Sequence, residues 1–312
     1  MKSINLRSIF TLAMLGACAD GGAVASTGFD DQAILVDYAD KVIIPTYQTL
    51  DARAQALNVA IETLRTNPSE PNLLAARKAW EQTREPWELS EAHLFGPVSA
   101  NGYDPAMDSW PVERNDLDAV LESNNALTAQ FVRNLPETQK GFHTIEYLLW
   151  GASGNKTAAA LTTRELEYLG ALTTELVSVT TALTTSWTTG VNGAPAYRSV
   201  FVAAGTGSTA YPSAAAAAQE ILVGMSAIAN EVANGKIAEP YDAHDPEKVE
   251  SQFSFNSLID FADNIRGIAA AYTGDATIVG AGAHAPVLHW VRADGAVHPD
   301  ELLLLDMGVE MR

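Results

Sequence analysis

One cysteine, Cys18, stands in 312 residues, so no disulfide can close within the chain and its stability has to come from packing. Basic residues are scarce too: 19 Lys and Arg face 38 Asp and Glu, a formal charge of -19. A surface of that sign repels nucleic acid and anionic lipid, which excludes a nucleic-acid partner, and it suits a protein that handles cations. Most of those carboxylates are nonetheless read as solvated helix faces. Alternation of period two is missing before residue 276, which leaves no pattern for a β core. With 47% apolar residues, the chain can still bury a sizeable core.

The start of the chain reads as a processing segment. Lys2 and Arg7 give it a positive beginning, and Ile9 to Met14 form an apolar stretch too short to span a bilayer permanently. Leu15-Gly16-Ala17-Cys18 follows and resembles the bacterial lipobox, which implies that Cys18 becomes a lipid-modified N-terminus. Ala19 to Gly28 then read as a flexible tether. Ala19 after the cysteine favours the outer membrane by the enterobacterial sorting rule. The expected location is the cell envelope, lipid-anchored, facing the periplasm or the cell surface.

Beyond the tether, apolar residues recur at helical spacing. Helices are expected over Ile34 to Leu64, with a kink at Pro45, and over Asn72 to His93, Asn115 to Val132 and Glu137 to Trp150. Further helices are expected over Thr163 to Thr189, Ser213 to Asn234, and Ser254 to Tyr272, the last stopped by Gly274. Threonines weaken the propensity of the Thr163 helix, but Leu166, Leu169, Leu172, Leu176, Val179 and Leu183 keep its apolar stripe continuous. Two loops are expected, Gly96 to Pro111, rich in Gly, Pro, Asn and Asp, and Gly190 to Pro212, rich in glycine. A loop of that length inside a compact domain is more often functional than idle. The fold class is all-α: two helical bundles, residues 30–155 and 156–276, divided near Gly151 to Ala160.

Chemistry concentrates in Gly141-Phe142-His143-Thr144-Ile145-Glu146. Positions three apart on a helix differ by about 60 degrees, so the His143 imidazole and the Glu146 carboxylate share a face and make half of a metal site. The pair lacks the His-Glu-x-x-His arrangement of zinc metalloproteases.

The surrounding residues resemble the imelysin family at several places in order. Ala79-Trp80-Glu81-Gln82-Thr83-Arg84-Glu85-Pro86-Trp87-Glu88-Leu89-Ser90-Glu91 is similar to its Trp, Arg, Trp, Ser-Glu helix, followed by Leu94-Phe95-Gly96-Pro97. Asp108-Ser109-Trp110-Pro111 matches its Asp-Ser-Trp-Pro loop, and Gly141 to Gly151 its Gly-x-His-x-x-Glu signature. Glu250-Ser251, Phe253-Ser254, Asn256-Ser257, Asp260-Phe261, Asn264-Ile265 and Gly267-Ile268 resemble its second-half motif. The resemblance runs over about residues 34–275. It implies a pair of four-helix bundles with the shared residues gathered near their junction, in envelope proteins linked to iron uptake; founding members were described as peptidases.

On that basis the expected metal ligands are His143, Glu146, Glu91 and Asp108, with Glu88 a weaker candidate and Arg84 and Ser90 as orienting partners behind them. Glu91 is alternatively an ion-pair partner of Arg84. His93 stands where the family usually has an aromatic residue, and a plain substitution is favoured over an extra ligand. Trp80, Trp87, Tyr147 and Trp150 read as core rather than as a haem surface. The expected cofactor is a metal ion, iron before zinc, and haem after both; His, Glu and Asp suit several divalent ions. Three functions follow: a lipid-anchored metal binder in iron acquisition or sensing, working with an iron-uptake system; a metallopeptidase with Glu146 as general base; or an interaction scaffold.

The tail departs from this pattern. Ile278 to Trp290 and Leu302 to Glu310 resemble a fragment of the aminopeptidase P family, in which the residue matching His289 lies near the substrate and the one matching Asp306 is a metal ligand. The remaining ligands would lie beyond Arg312, so no aminopeptidase activity is expected. Val287 to Val291 and Leu302 to Leu305 read as two short strands, marginal as an isolated hairpin.

Overall fold

The computed structural model describes residues 31–274; Cys18, the tether and the tail from Thr277 lie outside the described residues. Among the described residues every regular element is helical, and no helix is long and apolar enough to cross a membrane. Helix α1 (Asp31–Tyr38) passes through a π-helical turn, Ala39–Ile43, into α2 (Ile44–Thr66). Pro45 therefore sits in the first turn of α2, inside an unbroken helical run, and the π-helical turn just before it is the irregularity expected at the proline. Helix α3 (Glu70–Ser90) follows and ends in a 3-10 turn, Glu91–His93.

The expected loop from Gly96 to Pro111 holds two short helices, α4 (Pro97–Ala100) and α5 (Tyr103–Asp108), before a cis Trp110–Pro111 bond. The expected Asn115 to Val132 helix is broken into α6 (Arg114–Glu122) and α7 (Ala129–Arg133). The Ser123 hydroxyl bonds back to the Val120 carbonyl and Thr128 caps α7 through the Phe131 N–H, so local polar side chains compete with helix continuity there. A 3-10 turn, Glu137–Gln139, precedes α8 (Gly141–Trp150), which starts later than the periodicity suggested.

Helix α9 (Thr163–Thr188) opens with a capping box between Thr162 and Glu165, satisfying two free N–H groups at once. It lies along α2, as α3 does on another side. In α2, Leu50, Ala54, Leu57, Ile61 and Leu64 are all fully buried, a spacing of four and three that keeps one stripe inward. The threonines of α9 compensate for their weak propensity through this contact: Thr173 donates to Asn58, Thr180 and Thr181 to Asp51, and Thr184 to the Tyr47 carbonyl.

Helices α10 (Tyr197–Val202) and α11 (Ala214–Asn230) follow; α11 runs into an eight-residue π-helical stretch, Glu231–Ala238, and then α12 (Glu239–Ala243). Helix α13 (Ser257–Thr273) packs on α3 and α11 and is stopped by Gly274 in the left-handed conformation. Two glycines bring backbones together around α3. A Cβ on Gly267 would meet the Leu89 carbonyl oxygen at 2.4 Å, and one on Gly141, whose φ is +79°, would meet the Met107 carbonyl oxygen at 2.1 Å. Those two approaches set α13 against the end of α3, and the start of α8 against the end of α5.

Candidate metal centre

Helix α3 supplies the floor of the site. Trp80, Arg84, Trp87, Glu88 and Glu91 follow one another at helical spacing, and all are buried. The Trp80 indole donates to the Phe142 carbonyl at 3.0 Å and so ties α3 to α8. The Arg84 guanidinium lies 5.1 Å from the Phe142 ring centre. It makes close ion pairs with Glu88 and Asp108, a third with Glu250 at 2.8 Å, and reaches Asp260 at 3.6 Å. A planar fork of five donors is the side chain suited to gather carboxylates in this way.

His143, on the first turns of α8, is 1% exposed. Its Nδ1 lies 3.0 Å from Glu146 Oε2, and its Nε2 points the other way, 3.1 Å from Asp108 Oδ1 and 3.8 Å from Glu250 Oε1. The alignment at Nε2 makes no hydrogen bond, so this nitrogen is buried without a partner. Glu146 is fully engaged: Oε1 accepts from the Phe253 N–H, the Ser254 N–H and the Ser254 hydroxyl at 2.9, 2.7 and 2.8 Å. It orients the imidazole from behind and anchors the segment that leads into α13.

Nε2 of His143 and one carboxylate oxygen each from Asp108 and Glu250 all lie within 4.8 Å of one another. That set has the chemistry of a cation site, one imidazole and two carboxylates. A second group, Glu88, Glu91 and Asp108, is equally close, but Lys236 reaches into it. The Lys236 ammonium, 3% exposed, lies 2.8 Å from Glu91, 3.3 Å from Glu88 and 3.0 Å from Glu250. Asn264 of α13 donates to Glu88 Oε2 and Glu91 Oε2 at 2.6 and 2.7 Å. Asp260 is held by the Ser251 hydroxyl and by Asn256.

Charge within this cluster does not balance. Glu88, Glu91, Asp108, Glu146, Glu250 and Asp260 face two permanent cations, Arg84 and Lys236, plus the titratable His143. Burying unmatched carboxylates is costly, so they shift their protonation. Burial pushes Glu88 up to about 8 against the pull of Arg84 and Lys236, and burial with the neighbouring Glu88 raises Glu91 well above the usual range. Burial would also raise Asp108 and Glu250. Arg84 and the contact with His143 outweigh it at Asp108, and Lys236, His143 and Arg84 bring Glu250 down to about 2. Burial would lower His143, but the facing Asp108 and Glu146 carboxylates hold it well above its ordinary value.

The expected site residues are thus placed in different ways. His143 and Asp108 meet directly, Arg84 orients Asp108, and Glu146 stands behind the imidazole rather than beside its free nitrogen. Glu91 and Glu88 sit one step away, on Lys236 and Arg84. The Ser90 hydroxyl donates to the Trp87 carbonyl of its own helix at 2.7 Å and takes no part in the cluster. His93 packs edge-on between the Tyr38 and Tyr47 rings, as an aromatic substitute would. Glu250, Asp260, Asn264 and Lys236 were given no role from the sequence; for the first three the signal was polar residues within the second-half motif, and for Lys236 there was none.

An all-helical chain that buries a histidine among carboxylates from its two halves is the class defined by this geometry. The chain belongs to the imelysin family, whose model matches residues 43–296. It is 36% identical over 262 residues to "Iron-regulated protein A" of Synechococcus elongatus, covering 82% of this chain and 70% of that one. A solved structure from Parabacteroides distasonis, described as an iron-regulated protein A precursor, superposes with a TM-score of 0.74 at 27% identity, over 84% of this chain and 78% of that one. An imelysin-like protein from Psychrobacter arcticum shares the fold, with a TM-score of 0.65 at 18% identity over 85% and 77%. Separately, 39 residues are 56% identical to Xaa-Pro aminopeptidase 2 of Streptomyces coelicolor, 12% of this chain and 8% of that protein.

Proposed function

We propose that this chain is a lipid-anchored envelope protein that binds a metal ion, iron before zinc, at Asp108, His143 and Glu250, and serves iron acquisition or sensing beside an iron-uptake system. The observation that carries the reading is the His143 Nε2 atom, buried without a hydrogen-bond partner and facing two carboxylates. A buried polar atom left without a partner costs about 1–3 kcal/mol, and a bound cation would repay it. The surplus of carboxylates over Arg84 and Lys236 supports the same reading, since a dication would supply the missing charge. Iron is favoured by the relatives, two of which carry the words iron-regulated protein A in their descriptions. The anchor and the envelope location rest on Leu15-Gly16-Ala17-Cys18.

The peptidase reading would need Glu146 as a base on a metal-bound water. Both of its oxygens are already taken, by His143 and by the Phe253–Ser254 segment. Isothermal titration with ferrous, ferric and zinc ions tests the proposal. About one tight site is expected, lost in the His143→Ala, Asp108→Asn double variant. Binding that the double variant leaves intact, or no binding at all, would count against it.

A further inference from the structure

Lys236 is the one permanent cation among the described residues of the cluster that has somewhere else to go. Arg84 is enclosed by Glu88, Asp108, Glu250 and Asp260 and stacked on Phe142. Lys236 instead projects from the π-helical stretch Glu231–Ala238, next to a cavity of about 490 Å³. Its walls include Phe95, Tyr211 and Val223, and its polar lining includes Glu91, Glu220 and Glu231. Glu91 belongs to both spaces, lining the cavity while bonding the Lys236 ammonium at 2.8 Å.

The π-helical stretch decides what lies on the outer side. Bonding from residue i to i+5 brings positions five apart onto one face, and Glu231 is five residues before Lys236. Glu231 is exposed as a residue, and its carboxylate, raised by partial burial, already feels Lys236 as well as Glu250 and Asp108. A lysine ammonium is a compact, strongly hydrated charge on a flexible four-carbon stem. It regains hydration on moving toward water, which a guanidinium stacked on Phe142 and held among four carboxylates does not. Glu250 is the point of conflict: its Oε1 faces His143 while its Oε2 holds Lys236 at 3.0 Å. A dication on Glu250 and an ammonium on the same carboxylate repel each other at contact range in a dry interior.

We propose that Lys236 is a resident counter-ion of the site, which an incoming divalent cation expels from Glu88, Glu91 and Glu250 into the adjoining cavity, where Glu231 receives it. Resting on the metal-binding reading above, this makes uptake an ion exchange and makes Lys236 the residue that sets affinity. One cation leaves the carboxylates as another arrives, so the buried cluster is never left with its full negative charge. The ordinary state of the site is then a closed one, its negative charge offset in part by its own side chain.

Reductive methylation of the full chain, read by peptide mass spectrometry with and without Mn²⁺, tests the exchange without a mutation. Lys236 is expected to be protected in the metal-free chain and to react at least tenfold faster with Mn²⁺ bound. In a parallel titration Lys236→Met is expected to bind Mn²⁺ at least tenfold more tightly than wild type. Glu231→Gln should weaken binding about threefold or more in wild type and less in the Lys236→Met background, a coupling that a plain loss of surface charge would not produce. Should Lys236→Met not fold, the methylation result decides alone. Mn²⁺ binding with Lys236 still protected overturns the exchange and leaves the metal reading standing. No Mn²⁺ binding in wild type or in Lys236→Met overturns both.

Discussion

Glu146 holds the Nδ1 side of His143 at 3.0 Å, and this contact directs the opposite nitrogen, Nε2, at Asp108 and Glu250. An anionic carboxylate can only accept, so Nδ1 keeps its hydrogen, and it is the Nε2 proton that the raised imidazole gives up when a cation arrives, leaving the Nε2 lone pair for the metal. Glu146→Gln is expected to weaken metal binding by about 10–100-fold. Glutamine can still accept from Phe253 and Ser254 through its oxygen, which turns its amide toward Nδ1 and forces the hydrogen onto Nε2. Heteronuclear NMR of the imidazole nitrogens reads the tautomer; an unchanged tautomer together with unchanged affinity would contradict this role.

The protonation of the cluster gives the metal-free chain a definite pH response. Glu88 has a folded value of about 8 against an ordinary 4.5, so between those values the folded state binds more protons than the unfolded one, and stability falls as pH rises. His143, whose folded value is raised, adds stability that is full below about 6.5 and is lost as pH climbs through its folded value. Glu250, lowered to about 2, contributes stability above its ordinary value that disappears as pH falls toward 2. Thermal unfolding is therefore expected to peak near pH 5 without metal and to decline toward pH 8 by up to about 1.4 kcal/mol per pH unit for each proton. A saturating dication should flatten that decline. A metal-free chain that grows more stable from pH 5 to 8 would show that the charge balance is wrong.

His93 offers a test outside the cluster. It is 1% exposed, both ring nitrogens lack partners, and burial pushes its pKa down to about 3. His93→Phe keeps the edge-on packing with Tyr38 and Tyr47 and removes the stranded polar atoms. We expect a gain of about 1–2 kcal/mol, or roughly 2–4 °C in melting temperature per kcal/mol, with metal affinity unchanged. A loss of metal binding would instead make His93 part of the site.

Gly141 links backbone geometry to the site. An alanine there meets both a positive φ and the Met107 carbonyl, one residue before Asp108. Gly141→Ala is expected to cost at least about 2 kcal/mol and to loosen the His143–Asp108 contact, so that denaturant stability and metal affinity fall together. Gly102→Ala, with a similar φ of +64° but open space around it, is the control and should leave affinity alone.

Local patterns revealed the helices and one side of the site. Stripes such as Leu50, Leu57, Ile61 and Leu64 announce themselves by spacing, as do Trp80, Arg84, Trp87 and Glu91, or His143 with Glu146. The break at Ser123 to Thr128 was missed because side chains competing for backbone bonds leave no periodic trace. Glu250 and Lys236 were missed for another reason: each is more than 85 residues from His143, and their meeting depends on close approaches such as Gly267 on Leu89. Glu146 was read as a ligand because i, i+3 spacing puts it beside the histidine, but spacing alone cannot tell which imidazole nitrogen it faces.

A metal-soaked crystal with anomalous scattering tests the central claim most directly. The peak is expected at about 2.0–2.2 Å from His143 Nε2 and from one oxygen each of Asp108 and Glu250, with Glu146 still on Nδ1. A metal on Glu146, a metal away from His143, or no peak after soaking in iron, zinc or manganese would contradict it.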